Sequence, residues 1–316
     1  MKVLLLIDGN NLAHRARHGF SLSGVDGLDV SVTYGFINSL QSYLSMFAPE
    51  SCVIAWDAGI PQFRRDKVPS YKANREKDDT YEDFLRQLGE LDEGLIHTGT
   101  VNIRKYGMEA DDLLYHAAFL AKGKYDKIII VSGDADMYQT VEMDGVFVYN
   151  PSKKLMVDRK YINTEYGIDV GQYVHWRALQ GDKSDNVMGV PGIGPVRATK
   201  LFQKYENLSG IYYAAEGGET KMDERITEFG LENISKNVYI MSLKEDRIGA
   251  RREVLRKTAT FEPADAKKFK KFLISKGFLT LSSGVFYNRL RALQAPALSR
   301  LERTPVICER RYPVGM

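Results

Sequence analysis

Hydrophobic residues form three short continuous runs in the first half of the chain. They cover residues 3–7, 52–56 and 127–131, and acidic residues follow each run directly or within a few positions. Continuous rather than alternating runs indicate strands that are buried on both faces, as in a parallel sheet. Residues 33–47 and 109–122 carry apolar side chains at helical spacing. This alternation predicts an α/β fold, with a mostly parallel sheet flanked by helices and joined by right-handed crossovers.

The second half of the chain has a different pattern, mostly helical and interrupted by glycine-containing turns. We therefore predict an α/β domain over residues 1–150, a helical region over 151–290 and a flexible basic tail over 291–316. A polar, charged stretch from about residue 62 to 80 has little apolar periodicity, and long connections of this kind are usually functional or mobile.

Composition narrows the class of protein. The chain has 316 residues, of which 44% are hydrophobic and 27% charged, as in soluble globular proteins. No apolar run approaches the roughly 20 residues that span a bilayer, and the first run is too short for a signal peptide. We therefore expect a cytoplasmic protein without membrane association. Two cysteines and five scattered histidines argue against a disulfide framework and a structural zinc site.

The distribution of charge says more than the net charge of +3. From residue 291 onward there are five arginines and two glutamates, so the rest of the chain is formally neutral. Basic residues nevertheless cluster at residues 64–67, 71–75 and 267–271. Segregated charges of this kind permit binding to nucleic acid, although a charge run can equally be a solvated surface.

Carboxylates stand after the predicted strands and at the start of a predicted helix. Taken singly, they could be turn residues, helix caps or partners of a helix dipole. Because ligand sites lie beyond the carboxyl ends of parallel strands, we expect them to converge on one edge of the sheet. Glu109 and Asp112 share a helix face, whereas Asp111 lies about 100° round it. The predicted metal-ligating residues are Asp8, Asp57, Glu109, Asp111, Asp112, Asp134, Asp136, Asp182 and Asp185.

Oxygen ligands without cysteine or histidine suit Mg²⁺ or Mn²⁺ rather than zinc. Two such ions about 4 Å apart can activate a water and stabilise the leaving oxygen in phosphodiester hydrolysis. A polyanionic substrate also needs cations. Lys72 and Arg75 share a face if their segment is helical, and Tyr71 could stack on a base. The alternative for this segment is a solvated basic loop.

A second candidate for phosphate binding lies in the helical region. Gly192 and Gly194 surround an isoleucine in a tight turn, and a helix is predicted directly behind it. Backbone N–H groups at such a turn hold phosphate without reading sequence. Arg197 and Lys200 on that helix, together with Arg65 of the first basic cluster, complete the predicted DNA contacts. A plain helix hairpin is the alternative.

With these residues in hand, the sequence resembles the flap endonuclease family. This family includes the 5′-nuclease domain of bacterial DNA polymerase I and the phage enzymes called 5′-exonuclease or ribonuclease H. The resemblance covers residues 8 to 201, with a weaker similarity to about residue 283. The matching motifs are residues 6–12, 56–57, 107–112, 132–137 and 181–194.

The resemblance implies a PIN-like fold and two Mg²⁺ ions held by the nine carboxylates, with Mn²⁺ able to substitute. It implies a helix–three-turn–helix element at about residues 186–204, with a K⁺ ion on the carbonyls of its turn. It also implies a helical arch at residues 62–95. Tyr71, Lys72 and Arg75 would lie at the base of that arch and act in catalysis by contacting the scissile phosphate.

The function implied by the resemblance is that of a structure-specific 5′-nuclease, both 5′–3′ exonuclease and flap endonuclease. It would act on branched DNA and RNA–DNA duplexes, including RNA primers. Because the chain ends soon after the nuclease module, we expect a free-standing monomer of the phage or small bacterial type. A single-strand DNA-binding protein is the expected protein partner.

Two other readings remain open. A non-catalytic branched-DNA-binding protein with the same fold would lack metal ligands, and none of the nine is missing. A ribonuclease of the smaller PIN type shares the acidic sheet edge, but it would end near residue 151.

Overall fold

A central sheet organises the first half of the chain. The structure, a computed structural model, describes residues 1–75, 78–244 and 248–299. The strands are β1 (Val3–Asp8), β2 (Ser51–Trp56), β3 (Val101–Arg104), β4 (Lys127–Val131), β5 (Val146–Asn150), β6 (Leu155–Val157), β7 (Gly181–Asp182) and β8 (Val187–Met188). Six of them form one sheet in the order β3-β2-β1-β4-β5-β6. The β5–β6 pair is antiparallel and the other pairs are parallel, which confirms the predicted fold class.

Helices cover both faces of the sheet and form most of the second half. They are α1 (Gly9–Gly19), α2 (Ser31–Phe47), α3 (Gln62–Lys67), α4 (Tyr81–Leu95), α5 (Ala110–Ala121), α6 (Arg159–Tyr166), α7 (Tyr173–Gln180), α8 (Pro195–Tyr205), α9 (Leu208–Glu216), α10 (Lys221–Phe229), α11 (Leu231–Met241), α12 (Ile248–Ala259), α13 (Ala266–Ser275) and α14 (Gly284–Arg291). Within the described ranges, none of these helices is long and apolar enough to cross a membrane.

The core consists of two apolar layers separated by the sheet. On β1, Leu4 and Leu6 face one layer and Leu5 and Ile7 face the other, and all four side chains are fully buried. Burying a side chain of this size contributes about 2 kcal/mol relative to exposure. This two-sided burial explains why β1 reads as a continuous apolar run rather than an alternating one.

The sheet extends beyond the predicted domain boundary near residue 150. β6 lies after that position, and Val157 on β6 pairs with Val148 on β5. One hydrophobic cluster also continues from Leu6 on the sheet to Phe202 on α8. With just three residues, β6 gives no periodicity that would reveal it in the sequence.

The first residues of the predicted tail pack against the body. The N–H of Gln294 donates to the carbonyl of Glu50 at 2.8 Å, and the N–H of Ser299 donates to that of Leu120 at 2.7 Å. Gln294 and Ser299, which lie in the predicted tail, thus have hydrogen-bond partners in the body. Residues 300–316 lie outside the described part of the chain.

Candidate active site

Three neighbouring strands deliver acidic residues to one edge of the sheet. β1 ends at Asp8, Asp57 follows β2, and Asp134 follows β4 after two intervening residues. The strand order reverses between β1 and β4, and open α/β sheets bind their ligands at such a point. Gly9 permits α1 to start close to β2, because a Cβ at this position would lie 2.6 Å from the ring of Trp56.

Hydrogen bonds orient these strand-end carboxylates. Asp8 caps α1 by accepting from the N–H of Asn11 at 3.0 Å, and its second oxygen accepts from the hydroxyl of Ser132 at 2.8 Å. Asp57 accepts from the N–H of Ala110 at 2.8 Å, which ties the end of β2 to the start of α5. The protein itself therefore fixes the direction in which these oxygens point.

Burial and mutual repulsion oppose ionisation of the cluster. Burial, followed by the charge of Asp57, raises the pKa of Asp8 to about 7. Burial also raises the pKa of Asp57, Glu109 and Asp134. The negative charge of Asp111 acts in the same direction on all four carboxyl groups. Asp111 is thus their common neighbour, and nearby cations would favour the ionised form of this group.

A second acidic group lies where the helical region meets the sheet. Arg177 of α7 donates to Asp136 at 3.0 Å and to Asp182 at 2.5 Å, so one guanidinium joins the two carboxylates. Burial raises the pKa of Asp136 to about 7, against the opposing charge of Arg177. For Asp182, burial opposes ionisation, but hydrogen bonds from Ser184 and the charge of Arg177 prevail and lower the pKa.

The three residues expected to act on phosphate face this cluster. The hydroxyl of Tyr71 lies 3.0 Å from both Glu109 and Asp185. The ammonium of Lys72 pairs with Glu109 and lies 3.6 Å from Asp185. Arg75, which is half-exposed, donates to Asp185 at 2.9 Å. These contacts bring cationic and acidic side chains together in one cleft.

The backbone around Lys72 forms turns and not a helix. Lys72 and Arg75 therefore do not share a helix face. Lys72 has a φ of 55°, in the left-handed region, and its N–H donates to the carbonyl of Asp185 at 2.9 Å. Asn74 donates to the carbonyl of Lys183 at 3.1 Å. The cations are therefore positioned by contact with the segment between β7 and β8, not by helical spacing.

The acidic residues at the start of α5 separate into two directions. Asp111 is half-buried and lines the cleft. Glu109 and Asp112 are buried and both pair with the buried Arg64. One oxygen from each of the three carboxylates lies within 4.8 Å of the others. Glu109 and Asp112 contact the same guanidinium, which confirms the prediction that they share a face.

The turn at Gly192 leads into α8 as the sequence predicts. Gly192 has a φ of 79°, which favours glycine, and Gly194 is the residue before the first turn of the helix. Arg197, Lys200 and Arg65 are exposed. The guanidinium of Arg197 donates to the carbonyl of Gly192 at 2.6 Å. None of these five is among the described residues that line the acidic cleft.

Two arginines that pair with the acidic residues of the site were not predicted as site residues from the sequence. Arg64 lies in a basic run that resembles a solvated surface, yet it is 1% exposed. Arg177 follows an aromatic residue on a helix and has no charged neighbour that would single it out. The sequence near each arginine does not identify it as a site residue, because its acidic partners are brought close by the tertiary structure.

We expect the metal-free protein to lose stability as the pH rises from about 4 to about 7. Folding raises the pKa of Asp8 from 3.8 to about 7, so in this interval the folded state binds more protons than the unfolded chain. The free energy of unfolding must then fall with rising pH. Urea unfolding in EDTA across this range measures the slope, which should be shallower for Asp8→Asn. A stability that rises over the same interval would contradict the raised pKa.

The donor set fits a hard divalent cation. The clustered side chains offer carboxylate oxygens, which are the ligands that Mg²⁺ and Mn²⁺ take in proteins. Burial, and after it the repulsion between neighbouring carboxylates, raises the pKa of Asp8, Asp134 and Asp136, and a bound cation would stabilise their ionised forms.

Family models match most of the chain. Residues 3–167 match "5′-3′ exonuclease, N-terminal resolvase-like domain", and residues 168–258 match "5′-3′ exonuclease, C-terminal SAM fold". The two matches meet between α6 and a short helical turn at Val170–Gln172, later than residue 150.

Curated relatives include bacterial DNA polymerases I. The enzyme of Borreliella burgdorferi is 32% identical over 252 residues, which cover 78% of this chain and 27% of that protein. The thermostable enzyme of Thermus filiformis is 32% identical over 245 residues, covering 78% and 29%. This chain therefore spans less than a third of the length of these relatives.

Solved structures with the same fold include a bacteriophage protein and the catalytic core of Rad2. The flap endonuclease of bacteriophage T5, in a complex with DNA and metal ions, matches with a TM-score of 0.68 and 21% identity, covering 89% of this chain and 99% of that one. The catalytic core of Rad2 in complex with DNA substrate matches with a TM-score of 0.52 and 18% identity, covering 86% of each chain. At these identities the similarity concerns the fold.

Proposed function

This chain belongs to the 5′–3′ exonuclease family, and from that membership and the cleft we propose that it is a metal-dependent, structure-specific 5′-nuclease. It hydrolyses phosphodiesters as both a 5′–3′ exonuclease and a flap endonuclease. Its substrates are branched or flapped DNA and RNA–DNA duplexes, so it can remove RNA primers. The bound metal is Mg²⁺, in two sites, and Mn²⁺ can replace it.

The main support for this proposal is that cationic and acidic side chains lie in contact within one cleft. Lys72 and Tyr71 contact Glu109 within the same cleft that holds Asp111 and Asp185. Carboxylates alone would repel a polyanion, and cations alone would bind it without supplying ligands for a metal. A cleft that combines both side-chain types suits the hydrolysis of a phosphodiester.

The residues of the site have different roles in this proposal. When bound, the metal ions activate a water and stabilise the leaving oxygen. The oxygens of Asp8 and Asp57, held by hydrogen bonds, are oriented to receive these ions. Although burial opposes it, the charges of Glu109 and Asp185 raise the pKa of Lys72. Lys72 is thus a permanent cation that binds the scissile phosphate rather than a general base.

In this proposal, two segments outside the acidic cleft make the enzyme specific for branched substrates. We assign to the predicted arch at residues 62–95, of which residues 76–77 lie outside the described part of the chain, the reception of a 5′ single strand, with Arg75 at its base. The turn and helix at residues 186–204 hold the duplex backbone through Gly192, Arg197 and their neighbours, with a K⁺ ion on the turn. The fold-related phage and Rad2 proteins are bound to DNA in their structures, which supports a nucleic-acid substrate here.

The non-catalytic alternative has less support, since all nine carboxylates are present in the sequence. A monomeric state, a cytoplasmic location and a single-strand DNA-binding protein as partner belong to the same proposal and rest on the family alone. Co-purification of such a protein tests the last of these.

Cleavage of a 5′-labelled flap duplex tests the function directly. We expect short 5′ fragments in Mg²⁺ or Mn²⁺ and none in EDTA, because the carboxylates need a cation to act. The flap strand alone should react more slowly, since it lacks the junction. A flap whose 5′ segment is RNA should also be cut. Tight binding of the flap without cleavage in either metal would favour the non-catalytic alternative.

A further inference from the structure

Asp112 has surroundings unlike those of Asp111, the residue before it. Its side chain has no exposed surface, and its two oxygens accept hydrogen bonds from the guanidinium of Arg64 at 2.8 and 2.9 Å. Such two-point pairing fixes the carboxylate and the guanidinium relative to each other. Asp111, by contrast, is half-buried and lines the cleft.

The same guanidinium reaches two further groups. One of its terminal nitrogens donates to Glu109 Oε2 at 2.5 Å, and its Nε donates to the carbonyl of Ile240 on α11 at 3.1 Å. Tyr71 donates to the same Glu109 oxygen at 3.0 Å. The other oxygen, Oε1, pairs with Lys72 on the cleft side. Arg64 and Tyr71 together therefore determine which oxygen of Glu109 faces the cleft.

Charge and space separate Asp112 from a bound cation. Mg²⁺ requires an oxygen at about 2.0–2.1 Å and near-octahedral surroundings. Both oxygens of Asp112 already contact a guanidinium, which keeps its charge at all ordinary pH values. A divalent ion at the same oxygens would be repelled by Arg64, in a position closed to solvent where such repulsion is poorly screened.

We propose that Asp112 is not a metal ligand and that Arg64 is a positioning residue for the metal site. Asp112 fixes Arg64, and Arg64 with Tyr71 fixes Glu109 so that Oε1 faces the cleft. Lys72 pairs with Oε1 through a flexible stem, so its ammonium can move aside and leave this oxygen to the metal. This inference rests on the proposed function, because it assigns roles within the same site. Through the contact of Arg64 with Ile240, the helical region also contributes to the direction of Glu109.

Whether the substitution Arg64→Met strengthens or weakens metal binding distinguishes a positioning role of Arg64 from a purely electrostatic one. Arg64→Met removes a positive charge beside the metal site, which by Coulomb attraction alone should tighten metal binding. If Arg64 positions Glu109, binding should instead weaken, by about tenfold or more, as is typical when the partner of a metal ligand is removed. Electron paramagnetic resonance of free Mn²⁺ during titration of the full chain measures both the affinity and the number of bound ions.

Two carboxamide variants provide a matched pair on adjacent residues. Asp111→Asn should bind one Mn²⁺ ion fewer than the wild type. Asp112→Asn should bind the wild-type number with weaker affinity, because the amide keeps one acceptor for Arg64 but presents a donor where the second acceptor was. If Asp112→Asn loses an ion as Asp111→Asn does, Asp112 is a ligand and the inference is overturned.

The remaining outcomes separate this inference from the proposed function. A wild-type chain that binds no Mn²⁺ would overturn both. A wild type that binds Mn²⁺, with unchanged or tighter binding by Arg64→Met, would overturn the positioning role alone. Thermal unfolding in EDTA checks that each variant folds. If Arg64→Met does not, the double variant Arg64→Met/Asp112→Leu removes both buried charges, and it should bind the wild-type number of ions about tenfold more weakly.

Discussion

Replacing Asp134 with asparagine should abolish flap cleavage while leaving flap binding at least as tight as in the wild type. Asp134 follows the central strand β4, and the charges of Asp111, Asp8 and Asp185 contribute to its raised pKa, so it lies among the proposed ligands. Metal ions stabilise a transition state by several kcal/mol, and each 1.4 kcal/mol is tenfold in rate. We therefore expect a loss of about 1000-fold in kcat.

Binding should survive because the substitution removes a negative charge and keeps the size of the side chain. Cleavage of the 5′-labelled flap in Mg²⁺ and fluorescence anisotropy of the same flap in EDTA measure the two properties separately. Asp144→Asn is the matched control, since the side chain of Asp144 is 82% exposed and pairs with Arg159 outside the cleft. That variant should cleave like the wild type, and an active Asp134→Asn would exclude Asp134 from the site.

Replacing Lys72 with methionine should lower kcat by about 100-fold, the scale on which single donors to a developing anion act. Lys72 is the cation that contacts Glu109 and lies 3.6 Å from Asp185. Its loss should alter KM less than kcat, because we propose that the turn around Gly192, rather than Lys72, holds the duplex. Steady-state cleavage of the flap at saturating Mg²⁺ gives both constants.

A lysine at the far end of α5, the helix that begins beside Glu109, provides the control. Lys122 is exposed and follows the last residue of α5, more than ten residues from Asp111. Lys122→Met makes the same chemical change and should leave kcat unaltered. If Lys72→Met raises KM and spares kcat, Lys72 serves binding of the substrate rather than the chemical step.

The sequence determined the sheet and the positions of most acidic residues. β1, β2 and β4 are buried on both faces, and such strands consist of apolar residues in an unbroken run that is visible without a structure. Their parallel arrangement places the residues that follow them at one edge. Asp8, Asp57 and Asp134 could therefore be expected together before any coordinates were known.

Short strands and turns could not be predicted from the sequence. β3 has four residues and β6 three, too few for periodicity to distinguish them from loops. Both are held as strands by pairing with longer neighbours, β2 and β5. The turn conformation at Lys72 likewise depends on a hydrogen bond to Asp185, which lies far away in sequence.

The tertiary structure alone decided which acids face the cleft and which face an internal cation. The spacing of Glu109, Asp111 and Asp112 predicts that they point in different directions, but not what lies in each direction. Arg64 meets Asp112 across 48 positions of sequence and Arg177 meets Asp136 across 41. Periodicity is a short-range property of one element, whereas an ion pair of this kind exists when packing brings two elements together. The sequence thus specified which acidic residues the site contains, and the fold specified which of them face the cleft and which face an arginine.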